Sequence, residues 1–99
     1  MMSRSNIRTQ IINEAAVLIN GDREHEYGTP ADNFQRVADL WYAFDDSKIE
    51  PWQVCIKLAL LKIGRLGGPK PSRDSFVDAV GYIALAAELS MQSEHDDDN

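Results

Sequence analysis

Between Glu50 and Gly67 the chain reads PWQVCIKLALLKIGRL. Val54, Ile56, Leu58, Leu60, Leu61, Ile63 and Leu66 point in many directions when these residues are wound as a helix. A helix that is apolar nearly all round must be covered on more than one side, by its own chain or by another. With 99 residues and 43% hydrophobic content, the chain can build one small core. A second segment makes the same demand. From Ser72 to about Met91, one stripe carries Phe76, Val80, Ile83 and Ala87, and another face carries Leu85 and Leu89. Gly81, Ala84, Ala86 and Ala87 permit close helix approach. Two such helices are more than so short a chain easily hides. The expectation is therefore a homo-oligomer, a two-fold dimer or higher, that completes a bundle.

Two further helices precede these. Ile7, Ile11, Ala15, Leu18 and Ile19 recur at helical spacing, and Asn20-Gly21 supplies a stop. "TPAD" opens the second helix, with Thr29 as N-cap, Pro30 at the first position and Asp32 at the third. Phe34, Val37, Ala38, Trp41 and Phe44 then line one face, and "DDSK" ends it. The expected architecture is all-α: a four-helix, two-hairpin bundle, with residues 1–92 as one domain and 93–99 as a disordered acidic tail. The lone Cys55 lies in an apolar run and reads as a small core residue. The polar N-terminus and the lack of a long apolar run point to neither signal peptide nor membrane span, and so to a cytoplasmic protein.

The net charge of −6 draws four of its charges from Glu94, Asp96, Asp97 and Asp98 in the tail. Lys57, Lys62, Arg65, Lys70 and Arg73 form an opposite block, with no acidic residue among them. That block is too small for a general nucleic-acid surface and suits a compact anionic ligand. Lys57, Lys62 and Arg65 share an arc of about 140° on their helix. Asp74, Asp78 and Tyr82 form an i, i+4, i+8 stripe on the next one. Two readings follow. In the first, Lys62 and Arg65 pair with Asp74 and Asp78 as a structural set. Alternatively Lys62, Arg65, Lys70, Arg73 and the helix start make a phosphate wall, with the two Asp orienting the bases, holding a sugar or binding Mg²⁺.

The connection "GDREHEYGTP" is loaded with ionisable groups for a turn. A solvated turn accounts for Asp22 and Glu24. His25 and Tyr27 can instead stack on a planar ring, while Glu24 or Glu26 accepts from exocyclic amines or holds a metal. On that reading the connection is the base-facing wall of the site.

"EYGTPADNFQRVADLW" with "LLKIGRLGGPKPSRDSFVDAVGYIALAAEL" resembles a family of small phage and prophage proteins of unknown function, the DUF6378 type. There a YG-x-x-x-x-NF stretch precedes a K-x-x-R…D-x-x-x-D-x-x-GY segment. Tyr27, Gly28, Asn33, Phe34, Lys62, Arg65, Asp74, Asp78, Gly81 and Tyr82 carry the likeness, which covers roughly residues 20 to 90. If phage-encoded, the protein would work in the host cytoplasm. A second likeness is to all-α nucleoside triphosphate pyrophosphohydrolases of the MazG kind, which hold Mg²⁺ with an E-x-x-E and an E-x-x-D helix. "SFVDAVGYIALAAEL" is similar to the second of these, with Asp78 as its Asp. Ser75 stands where that pattern has Glu, and Lys62 and Arg65 where it has paired Glu.

Three functions are expected from these residues. The first is a binder that sequesters a phosphate-containing nucleotide, such as a host immune signal, using His25, Tyr27, Lys62, Arg65, Lys70, Arg73, Asp74, Asp78 and Tyr82, without cofactor or catalytic residue. The second is a MazG-like pyrophosphohydrolase or phosphodiesterase. It would use Mg²⁺ as cofactor, with Glu24, Glu26, Asp74 and Asp78 as ligands and Glu24, Glu26 and Asp78 in catalysis. The third is a protein-docking module presenting Trp41, Tyr42, Phe44 and Trp52.

Overall fold

The segment read as the central helix does form one, Pro51–Gly64, in a computed structural model that describes residues 6–21 and 28–97, with side chains described through 92. Four α-helices and no strand occur among these residues: α1 (Ile7–Ile19), α2 (Pro30–Asp45), α3 (Pro51–Gly64) and α4 (Arg73–Asp97), with a 3₁₀ turn at Arg65–Gly67 after α3. The caps follow the local sequence. The Asn6 side chain accepts from Thr9 N–H at 2.8 Å and Thr29 Oγ1 from Asp32 N–H at 3.1 Å. Ser72 Oγ accepts from Ser75 N–H at 3.0 Å. Each satisfies one amide left without a partner in the first turn. At the start of α3, Glu50 and Gln53 form a reciprocal capping box. Gly28 sits at φ +84°, a conformation that favours glycine, just before the Thr29 cap.

α3 and α4 make the most extensive pairing and run antiparallel. Lys62 meets Asp78 near their connection, and Val54 and Cys55 share a core cluster with Ala86 and Leu89 farther along. Phe34 and Ala38 of α2 complete that cluster from the α3 side. Phe34 packs edge-on against Tyr82, with ring centroids 6.4 Å apart and planes at 75°.

The expected pairing of α1 with α2 does not form. α1 lies on α4, and its contact with α2 is slight or absent. Arg73, at the start of α4, bonds Gln10 and Glu14 of α1, while Ile19 sits against Gly81. α1 therefore runs parallel to α4. The physical reason is local: α1 fully buries only Ala15, and α4 offers a glycine notch where a Cβ would come within 3.1 Å of Ile19. A short connection left open which neighbour α1 would choose.

Two further points concern the ends of α4 and α2. α4 continues to Asp97, into the segment read as a disordered tail, because no Gly or Pro interrupts "SEHDD". Phe44, which the spacing sets on the same face of α2 as Phe34, Val37, Ala38 and Trp41, is 89% exposed at the end of that helix. Cys55 is fully buried, as expected for a core residue, and burial pushes its thiol up to about 12. No helix of the described residues is long and apolar enough to cross a membrane.

Candidate functional site

The sequence places Lys62 in the last turn of α3 and Asp78 in the second turn of α4. The antiparallel pairing brings them together at 3.1 Å, with side chains only 19% and 28% exposed. Two opposite charges drawn this far from water hold each other in place, since either alone would be costly there. Tyr82, one turn beyond Asp78, turns its ring onto Phe34.

These three side chains line a concavity of about 330 Å³, walled by Leu18 and Ile19 of α1 and by Gly81 and Leu85 of α4. Gly81 opens the space that a side chain would fill. A second concavity of about 580 Å³ shares Leu18 and Asp78 with the first and runs along α1 and α4 past Val17, Val77, Glu14 and Asp74. The two adjoin at Leu18 and Asp78 and together make a trough along α1 and α4, with Leu18, Ile19 and Leu85 as apolar wall, Lys62 and Asp78 on one lining and Glu14 and Asp74 on the other.

Of the expected site residues, the structure joins Lys62, Asp78 and Tyr82 in one concavity and sets Asp74 in the adjoining one. Arg65 follows Lys62 by three residues on the exposed 3₁₀ turn, and Lys70 is exposed on the connection to α4. Arg73 is drawn to α1. Its Nε donates to Glu14 Oε1 at 3.2 Å and its Nη2 to Gln10 Oε1 at 3.0 Å. This hydrogen bond holds the Glu14 carboxyl below its ordinary value and Arg73 above its own. Lys57 points elsewhere, over the Trp41 ring at 5.5 Å. Glu24, His25, Glu26 and Tyr27 lie outside the described residues.

The metal reading needs several oxygen donors around one point. Among the described residues no three His, Cys, Asp or Glu side chains are grouped so that they could hold an ion, and Asp78 is engaged by Lys62. The described carboxylates therefore do not by themselves fit Mg²⁺, and no step through a metal follows from them.

Sequence reasoning missed Leu18, Ile19 and Glu14 as neighbours of this site. A short connection pairs α1 with α2 on the sequence alone, and nothing local points its residues toward α4. Gly81 was the available signal: a glycine inside a strongly periodic helix marks a close approach.

Residues 10–90 match the profile of a domain of unknown function, DUF6378. The chain is 39% identical over 79 residues to the Gene 55 protein of Mycobacterium phage D29, covering 80% of this chain and 52% of that protein. It is 31% identical over 85 residues to the Gene 55 protein of Mycobacterium phage L5, covering 85% of this chain and 54% of that one. The chain thus spans about half the length of these relatives. No solved structure matches it significantly.

Proposed function

The chain belongs to the DUF6378 family, and from that premise we propose that it is a nucleotide-binding protein that sequesters a phosphate-containing small molecule and works as a homo-oligomer. The observation that carries the reading is the half-buried Lys62 at the floor of a concavity with an apolar wall and a tyrosine. The Lys62 side chain is a cation that the fold leaves only 19% exposed. A phosphate oxygen reaching its ammonium would make a charge-assisted hydrogen bond in a partly dry setting. Asp78 would keep the ammonium positioned and accept from a sugar hydroxyl. The apolar wall of Leu18, Ile19 and Leu85 suits the faces of a base or ribose. Arg65 and Lys70 supply positive potential at the same end of the hairpin, against an overall charge of −6.

The likeness to the Gene 55 proteins of two mycobacteriophages supports a phage setting, for which the host cytoplasm is the proposed place of action. There an abundant binder removes a nucleotide signal by mass action alone, with no turnover required. A host immune nucleotide is the target that setting favours.

The test is one incubation of the protein, near stoichiometric amounts, with nucleoside triphosphates, cyclic dinucleotides and ADP-ribose derivatives in the presence of Mg²⁺. Filtration, denaturation and chromatography of both fractions follow. A compound retained and released intact is the expected result, with retention lost in Lys62→Ala. Conversion to a monophosphate or linear product would replace this reading with the hydrolase. Neither retention nor turnover would reduce Lys62 and Asp78 to a structural pair.

A further inference from the structure

We infer that the oligomer is a two-fold dimer formed through the face of the α3–α4 hairpin opposite the ligand trough. The inference rests on the oligomer part of the preceding reading and is independent of its ligand. α1 and α2 both lie on one side of the hairpin. α1 meets α4 at Val77 and Gly81, and α2 reaches Tyr82 on the same side as the Lys62–Asp78 pair. At about 100° per residue, Phe76, Val80, Ile83 and Ala87 project to the other side of α4, and Ile56, Leu60 and Ile63 to the matching side of α3. Among the described residues nothing covers that side. Leu60, Ile63, Phe76 and Ile83 are 59%, 48%, 44% and 47% exposed.

A second copy is the occupant this surface fits. The α4 stripe steps by four, three and four residues, the spacing at which two helices interlock along an apolar seam. No charged side chain falls on the seam, so nothing there selects an acidic or a basic partner. A two-fold axis needs a patch complementary to itself, and an uncharged apolar ridge with small residues at Ala84 and Ala87 meets that need. The four large side chains expose roughly 400 Å² per copy at about 200 Å² each. That forms the core of an interface of about 800 Å² per partner. The pairing also explains why α3 is apolar all round: one side faces α4, one faces α2, and the remaining side faces the second copy.

The experiment is light scattering after size exclusion on the full chain, from low micromolar to high micromolar loading, with Ile83→Glu and, as a control on α2, Leu40→Glu. A cysteine pair is the second readout, because the native Cys55 is fully buried and gives a silent background. Expected are a dimer for the wild type and for Leu40→Glu, a monomer with unchanged helical circular dichroism for Ile83→Glu, and rapid disulfide-linked dimer for Ala87→Cys under mild oxidation. A wild-type monomer at every concentration would overturn the oligomer reading and this interface together. A dimer that survives Ile83→Glu, dissociates with Leu40→Glu and does not cross-link through Ala87→Cys would overturn the interface alone. Neither result would touch ligand retention, which is read separately.

Discussion

Asp78 has one carboxylate and two claims on it. In the fold it holds Lys62 at 3.1 Å. In the proposed complex it competes with phosphate for the same ammonium while keeping that ammonium in position. The two effects separate by substitution. Asp78→Asn should lower stability by about 1–2 kcal/mol, because a half-buried lysine loses its counter-charge. A melting point lower by several degrees would show it. The same change should tighten binding of inorganic phosphate several-fold, since Lys62 is then free to take it. Lys62→Met should weaken phosphate binding as well as stability. Cys55 gives a different test of the core. Its buried thiol stays protonated to about 12, whereas the unfolded thiol titrates near 9.0. The contribution of a neutral thiol to stability is therefore complete below pH 9 and is lost as pH rises from there toward 12. An aromatic disulfide reagent at pH 8 should leave Cys55 unmodified in the native protein and modify it fully in denaturant.

At the scale of elements, α1 decides whether the trough exists. It is held on α4 by the notch at Gly81 and by the bonds from Arg73 to Gln10 and Glu14. Gly81→Val should lift α1, so amide exchange in residues 7–19 should accelerate while that in α3 stays slow. The Glu14 carboxyl is held below 4.5 by the Arg73 hydrogen bond. Its contribution is present above that value and fades as pH falls through the lowered one, so protection of α1 amides, taken relative to the intrinsic exchange rate at each pH, should fall selectively below pH 4.5. The helices were legible in the sequence because their signals are local: Thr29-Pro30, Ser72 and the 3.6-residue periodicities each act within one turn. The Lys62–Asp78 pair was legible because a short connection fixes α3 and α4 as antiparallel neighbours. The seat of α1 was not, since it depends on a notch and an ion pair 59 residues apart in the chain. The faces of α3 and α4 that remain open were visible only as an excess of apolar residues.

At the scale of the whole molecule, the account is a hairpin with two working faces. One carries α1, α2 and the trough; the other is the face at which the proposed dimer pairs two copies, which would set the proposed ligand sites on opposite outer sides. The charge pattern fits this division, with basic residues gathered at the α3–α4 connection in an otherwise acidic chain. Retention of a phosphate ligand should therefore weaken several-fold as ionic strength is raised, because Arg65 and Lys70 are exposed to screening. The central claim is that the trough formed by α1, α3 and α4 is the binding site. Amide chemical-shift mapping on ¹⁵N-labelled protein, titrated with the retained nucleotide, tests it most directly. The account predicts shifts centred on Leu18, Ile19, Lys62, Asp78, Gly81 and Tyr82, with Phe76 and Ile83 unmoved. Shifts confined to the α3–α4 outer face or to α2, with the trough silent, would contradict it.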